Sequence, residues 1–130
     1  MNTLPPSPHV QKIVINTCFG GWGVSDEGIL EYAKRSGFKL WTTVNGFGDT
    51  SFYTKDPESL TDKQTNDSFF WARDIERTDP ILVAMIEEDP GKWDGKYAEL
   101  QVVEIPEGVS WEIDDYDGIE TIHESHRSWP

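Results

Sequence analysis

The chain has 130 residues and one cysteine, so we expect a single domain without an internal disulfide. A formal net charge of −13 argues against direct binding to nucleic acid or to an anionic membrane, because no run of Lys or Arg offsets it. No stretch approaches the roughly 20 consecutive apolar residues that a membrane-spanning helix needs. The aromatic content, with six Trp, six Phe and four Tyr, is too high for a disordered chain.

The N-terminal segment MNTLPPSPHV lacks the charged and apolar regions of a secretory signal. We interpret residues 1–11 as a flexible Pro-rich tail and residues 12–130 as one domain. Because the lone cysteine also suits a reducing compartment, we expect the protein in the cytoplasm.

The first predicted elements follow one another as strand, helix and strand. Residues 12–17 (KIVINT) are a β-branched run, which is typical of a buried strand. Ser25 predicts the N-cap of a helix over residues 25–36, and Gly37 is a suitable residue to end it. Residues 38–44 alternate apolar and polar side chains, which indicates a second strand.

Residues 45–72 are polar and show no strong period, so we predict a long irregular loop. Phe52-Tyr53 and Phe69-Phe70-Trp71 interrupt this polarity. These aromatic runs indicate that parts of the loop pack against the domain or form short strands.

The second half of the chain predicts one helix and three strands. Asp79 followed by Pro80 is typical of a helix start, and the run ILVAMIEE continues it as a short buried helix. The predicted strands are residues 97–105, 109–113 and 119–125. Asp117-Gly118 is a hairpin signal and predicts that the last two strands pair. The order of the elements, β-α-β then α-β-β-β, predicts an α+β fold with a mostly antiparallel sheet.

The stretch Phe19-Gly20-Gly21-Trp22-Gly23 lies between a predicted strand and a predicted helix, where phosphate-binding turns occur. No lysine follows it, and Asp26 and Glu27 at the helix start would repel a phosphate. We therefore interpret it as an architectural turn, with Phe19 and Trp22 covering the core.

Catalytic and metal-binding patterns are weak. Cys18 could act as a nucleophile only with a base such as His123 or His126. These histidines, with Glu120 and Glu124, do not have the spacing of a known metal motif. We expect a protein that is not an enzyme, with no catalytic residues, no metal and no cofactor.

The segment from residue 104 to residue 126 contains eight acidic residues and neither Lys nor Arg. The acidic residues are Glu104, Glu107, Glu112, Asp114, Asp115, Asp117, Glu120 and Glu124. The run EIDDYDG has the composition of a calcium loop but not its ligand order. Two interpretations stay open: a solvated edge that discourages strand pairing, or a mimic of a nucleic-acid backbone that binds a basic protein.

Arginines are few in this acidic chain, so a cluster of them would mark an anion site. The four are Arg35, Arg73, Arg77 and Arg127. Arg127 follows His126, and the nearby Trp71 and Trp129 could stack a base. The alternative is that each arginine pairs with a local carboxylate.

Four stretches resemble a widespread family of small proteins encoded by tailed bacteriophages. They are INTCFGGWGVSDEGILEYA, RTDPILVAMIEE, LQVVEIPEGVSWEIDDYDGIE and HESHRSW. The resemblance covers both ends of the domain and omits residues 45 to about 72. It implies a protein of the host cell cytoplasm, but it implies no particular activity.

The chain is also similar, more weakly, to phage anti-defence sponges that sequester cyclic nucleotide signals. Such sponges are small, oligomeric and non-catalytic, and they hold phosphates with arginines and bases with aromatic side chains. The likeness implies a homo-oligomer in which Arg77 and Arg127 hold a small anionic ligand, Trp71 stacks on it, and Arg73 and His126 adjoin it. The alternative function is an acidic inhibitor of a basic host protein.

Overall fold

A computed structural model describes residues 10–124 of the chain. In this range the strands are β1 (Val10–Asn16), β2 (Trp41–Val44), β3 (Thr50–Tyr53), β4 (Phe69–Phe70), β5 (Leu100–Pro106), β6 (Trp111–Tyr116) and β7 (Ile119–Glu124). The α-helices of the same range are α1 (Asp26–Ser36), α2 (Asp62–Asp67) and α3 (Pro80–Glu88). The fold is α+β, as predicted.

The strands form three small antiparallel sheets. β1 pairs with β5, so that Ile13 lies opposite Val103. β2, β3 and β4 form a second sheet in that order, and β6 and β7 form a hairpin. β1 and β2, which flank α1 in the sequence, therefore belong to different sheets.

Both long helices begin at the predicted caps. The Ser25 hydroxyl accepts a hydrogen bond from the backbone N–H of Gly28 at 3.0 Å, and the Asp79 carboxylate accepts one from the N–H of Ile81 at 2.8 Å. The Tyr32 hydroxyl of α1 donates to Asp79 at 2.6 Å, which joins the two helices. Burial raises the pKa of Tyr32 above its ordinary value, and the bond to Asp79 raises it further.

The main core lies between the two long helices and the β1–β5 sheet. Its buried side chains are Val14, Val24, Ile29, Phe52, Ile75, Leu82, Val83, Ile86 and Leu100. β1 supplies Val14, α3 supplies Leu82, and β3 reaches the same cluster through Phe52. The core thus holds the β2–β3–β4 sheet to the rest of the domain by apolar contact.

Residues 45–72 carry more regular structure than the sequence predicts. They contain β3, β4, α2 and a short 3₁₀ helix at Pro57–Ser59. The two aromatic runs pair in the sheet, with Phe52 opposite Phe70. These runs are the local signal that correctly indicated short strands. Phe52 is buried in the main core, and Phe70 packs against that core.

The N-terminal tail is shorter than predicted where it can be described, because β1 already begins at Val10. The rest of the predicted tail lies outside the described residues. Within residues 10–124, no helix is long and apolar enough to cross a membrane.

Candidate functional site

The guanidinium of Arg77 is held by three groups at the edge of β1. Its Nη1 and Nη2 atoms donate to the two carboxylate oxygens of Glu120 at 2.6 and 2.8 Å, a bidentate pair. Nη1 also lies 3.2 Å from the carbonyl oxygen of Val14. The guanidinium stacks on the ring of Trp22, 3.6 Å from its centroid. The donors that would face an incoming anion are therefore committed to Glu120.

Glu120 is the buried partner of this pair, with 5% of its surface exposed. It also accepts a hydrogen bond from the backbone N–H of Asn16 at 2.8 Å. Burial alone would raise the pKa of Glu120, but the bonds from Arg77 and Asn16 outweigh burial and hold the pKa below its ordinary value. We call Arg77, Glu120 and Asn16 the clamp, because they attach the β6–β7 hairpin to β1.

The Asn16 side chain extends the clamp to three loops. Its Nδ2 donates to the carbonyl oxygens of Cys18 and Gly118 at 2.7 and 2.6 Å. Its Oδ1 accepts from the backbone N–H of Glu99 at 2.8 Å. Asn16 is fully buried, so these bonds stabilise the loop arrangement at low dielectric.

Glycines let the same loops touch backbone to backbone. Gly20 and Gly118 have φ of 114° and 90°, values that other residues rarely adopt. A Cβ atom on Gly118 would lie 2.4 Å from the backbone nitrogen of Gly21. The glycine stretch therefore allows the loops to pack closely, which agrees with its interpretation as an architectural turn.

One part of that interpretation is wrong. Trp22 packs against the core as predicted, but Phe19 is 63% exposed. The close contact of Gly20 and Gly21 with Gly118 leaves no space beneath the turn for a side chain, so Phe19 extends outward.

The acidic segment divides between two faces of the β6–β7 hairpin. Glu112, Asp114 and Tyr116 alternate along β6, and their cross-strand partners are His123, Thr121 and Ile119. We call this the outer face; the side chains of Glu112 and Asp114 on it are 62% and 63% exposed. Glu120 points to the other side and is buried, so the prediction of a uniformly solvated edge fails at this residue.

His123 lies between two carboxylates of the outer face. Its Nδ1 is 2.6 Å from Asp114 and its Nε2 is 3.2 Å from Glu112. Since both ring nitrogens face carboxylates, neither is positioned to serve Cys18 as a base. No group of three His, Cys, Asp or Glu residues within 10–124 is arranged to hold a metal ion.

Trp71 and Arg73, two of the residues proposed for a ligand site, lie close together. Trp71 is 50% exposed, and the guanidinium carbon of Arg73 lies 5.1 Å from its ring centroid. Beside Trp71 is a cavity of about 200 Å³, lined also by Phe69, Phe70 and Asp26. No carboxylate of the described residues lies within ion-pair distance of Arg73.

The three described arginines lie in three different places. Arg77 is in the clamp, Arg73 is on Trp71, and Arg35 pairs with Glu31 and Glu88 on the helix surface. The other predicted ligand residues, His126 and Arg127, lie outside the described residues, as does Trp129. The grouping of Arg77 with Arg127 stays a prediction.

Asn16 and Glu120 are the residues whose roles the sequence analysis missed. Asn16 ends a β-branched run, where an amide is out of place unless it has buried partners, and this was a usable signal. Glu120 had no such signal, because it is one of eight acidic residues in its segment.

Comparison with known proteins identifies no relative. No protein-family model matches the chain, and no curated protein or solved structure matches it. The arrangement of the chain's own residues is therefore the support for any functional proposal.

Proposed function

We propose that this is a phage-encoded protein of the host cytoplasm that acts by binding, without catalysis, and that its partner is a basic host protein. The outer face of the β6–β7 hairpin, together with the exposed Asp115 and Asp117 at its turn end, is the proposed interface. The observation that carries the proposal is the exposure of Glu112 and Asp114 on that face, in a segment with neither Lys nor Arg.

The electrostatics of the hairpin support this assignment. The buried carboxylate of the hairpin, Glu120, has Arg77 as its partner. Asp115, which lies opposite Glu120 at the end of β6, and Asp117 in the turn are exposed and have no lysine or arginine nearby in sequence. Uncompensated charge of one sign attracts partners of the opposite sign and accelerates their association. The same face would repel nucleic acid and anionic membranes.

The experiment is native mass spectrometry of the protein recovered from infected cells. We expect a co-purified host protein that dissociates as the salt concentration rises. The variant Asp114→Asn/Asp115→Asn/Asp117→Asn should reduce recovery of that protein by about tenfold. Asparagine keeps the side-chain oxygen with which Asp115 accepts from the Gly118 N–H, so the hairpin turn is retained.

The matched control is Glu27→Gln/Glu58→Gln/Asp67→Asn, which removes the same formal charge at exposed positions away from the hairpin. It should recover the partner as the wild type does. Equal losses in the two variants would mean that only the net charge matters, and the outer face would cease to be the interface.

Trp71 supports a second candidate, the sequestration of a nucleotide-type signal in an anti-defence role. A half-exposed indole beside a cavity of about 200 Å³ can stack a nucleobase, and Arg73 on the same ring can meet a phosphate. A nucleotide site at Arg77 would first have to displace Glu120 from a bidentate pair.

The same mass-spectrometry experiment tests this candidate. A bound nucleotide would favour it, and its retention should be lost in Trp71→Ala and in Arg127→Ala. Phe47→Ala is the control, because Phe47 is 92% exposed at the β2–β3 turn. Retention by both test variants would remove the nucleotide candidate.

A further inference from the structure

Three aromatic side chains are exposed where three loops meet. Phe19 is 63% exposed, Tyr97 is 62% exposed and Tyr116 is 75% exposed. Each belongs to a different loop or strand end, within one or two residues of the Asn16-bound groups of Cys18, Glu99 and Gly118. We call residues 18–21, 96–99 and 116–118 the tip.

The geometry of the tip explains why its aromatic residues face water. A Cβ atom on Gly20 would lie 2.4 Å from the Cβ atom of Tyr97, so this loop also packs directly against the glycine stretch. Loops that meet through glycine backbone leave no interior space for large side chains. The exposure is therefore imposed by the packing, and it leaves three large aromatic side chains in water at the meeting point of the three loops.

The tip is held in one arrangement before any partner binds. The buried Asn16 side chain bonds to all three loops, and Glu120 joins the hairpin to β1. A surface that is already ordered loses little conformational entropy on binding. Phe47 is also exposed, but the Asn45 side chain orders its turn only by bonds to Phe47 and Asp49 within the same turn, whereas Asn16 joins three separate loops.

Charge identifies the kind of partner that fits. Asp115, Asp117 and Glu99 are exposed at or beside the tip. The Lys96 ammonium lies 5.3 Å from the Tyr97 ring centroid, so a tip ring already attracts a cation of this chain. Aromatic faces next to carboxylates bind positively charged side chains, and they bind planar guanidinium groups best.

We propose that the tip anchors an arginine-bearing segment of a basic protein, with the guanidinium stacked on a tip aromatic ring and paired with a neighbouring carboxylate. This inference rests on the proposed function, and it assigns the specificity to the tip and the long-range attraction to the outer face. Lys96 then competes with the partner for Tyr97.

The first test measures fluorescence anisotropy with two labelled peptides, one alternating arginine with glycine and one alternating lysine with glycine. The wild type should bind the arginine peptide more tightly. Phe19→Ala, Tyr97→Ala and Tyr116→Ala should each weaken its binding by about two- to fivefold and reduce the preference for arginine. Phe47→Ala, which removes an even more exposed aromatic ring away from the tip, should leave both affinities unchanged.

The second test uses the competition by Lys96. Lys96→Ala should tighten binding of the arginine peptide. Lys92→Ala is the matched control, because it removes the same charge from a lysine that lies 4.7 Å from the Trp93 ring centroid, and Trp93 is buried. If the two variants tighten binding equally, the change in net charge explains the effect, and the proposed competition between Lys96 and the partner is wrong.

The outcomes separate this inference from the proposed function. If the tip variants bind like the wild type while the Asp114, Asp115, Asp117 variant is weakened, the outer face remains the interface and the tip proposal fails. If the wild type binds neither peptide, both fail. If sedimentation shows an oligomer that Tyr116→Ala dissociates, a second copy covers the tip, and the arginine proposal is overturned.

Discussion

The β2–β3 and β6–β7 hairpins have similarly ordered turns but attach to the domain by different forces. In the first, Asn45 accepts two backbone hydrogen bonds across the turn, and the strand beyond it is anchored by the buried rings of Phe52 and Tyr53. In the second, Asp115 accepts the bond that orders the turn, and the anchor is the carboxylate of Glu120.

The difference shows how an acidic hairpin can be attached without losing its acidic face. Apolar attachment is non-directional and depends little on pH, but it requires large side chains on the inner face. A bidentate ion pair fixes both position and orientation with one side chain. The hairpin then needs few apolar residues, and its outer face is free to carry exposed carboxylates such as Glu112 and Asp114.

The largest effect should come from the apolar anchor of the first hairpin. Phe52→Ala removes a buried ring from the main core and leaves a cavity, so it should lower the free energy of unfolding by about 4 kcal/mol. Urea denaturation at several pH values measures this. The loss should not vary with pH relative to the wild type, and a clear variation would contradict the purely apolar character of this anchor.

The polar anchor of the second hairpin should come next. Arg77→Ala leaves the buried Glu120 carboxylate without its partner and should lower the free energy of unfolding by about 3 kcal/mol. Arg35→Ala, which breaks the pairs with Glu31 and Glu88 on the helix surface, is the control and should change it much less. If the two variants are equally stable in urea, the clamp does not hold the hairpin.

The two turns themselves allow a sharper comparison. Gly48 and Gly118 have nearly the same φ, 84° and 90°, but only Gly118 has backbone atoms within contact of an added Cβ. Alanine at either position should incur about 1 kcal/mol for the backbone conformation. Gly118→Ala should lose about 2 kcal/mol more, because its Cβ would overlap Gly21. Equal losses would mean that the loop contact can relax at no cost.

The smallest expected effect is on the pH dependence of stability, which should involve the anchor of the second hairpin and not that of the first. The pKa of Glu120 is lowered in the folded state, so its contribution to stability is complete above its unfolded value and is lost as the pH falls through the folded value. Glu120→Gln should therefore lose less stability than the wild type between pH 7 and pH 3. Identical pH profiles of the two proteins in urea denaturation would show that the clamp does not respond to protonation.

Local signals predicted most of the secondary structure. Ser25, the Asp79-Pro80 pair and the Asp117-Gly118 turn all lie where the sequence placed them, because caps and turns depend on a few neighbouring residues. The pairing of the strands was harder to predict, since the sequence pattern does not indicate that β1 pairs with β5 rather than with β2.

The clamp could not be predicted from such signals. Asn16 and Glu120 are 104 residues apart, and the sequence around either residue does not indicate that the two form a hydrogen bond. The sequence did mark Arg77 as unusual in an acidic chain, but the choice between an external anion and an internal carboxylate depends on which side of the hairpin Glu120 faces. Trp71 and Arg73 were predictable as neighbours because only one residue separates them.

The pairing of β1 has a consequence for the order in which the protein can fold. β1 is the first described strand to leave the ribosome, yet its partner β5 begins at Leu100 and its edge is completed by Glu120. Contacts between such distant residues form late, because a long intervening chain must first be ordered. The apolar residues of β1 must therefore remain without their sheet until β5 has been synthesised. Co-translational folding can begin with α1 and the β2–β3 hairpin, and the clamp at the edge of β1 forms only after β7 has been synthesised.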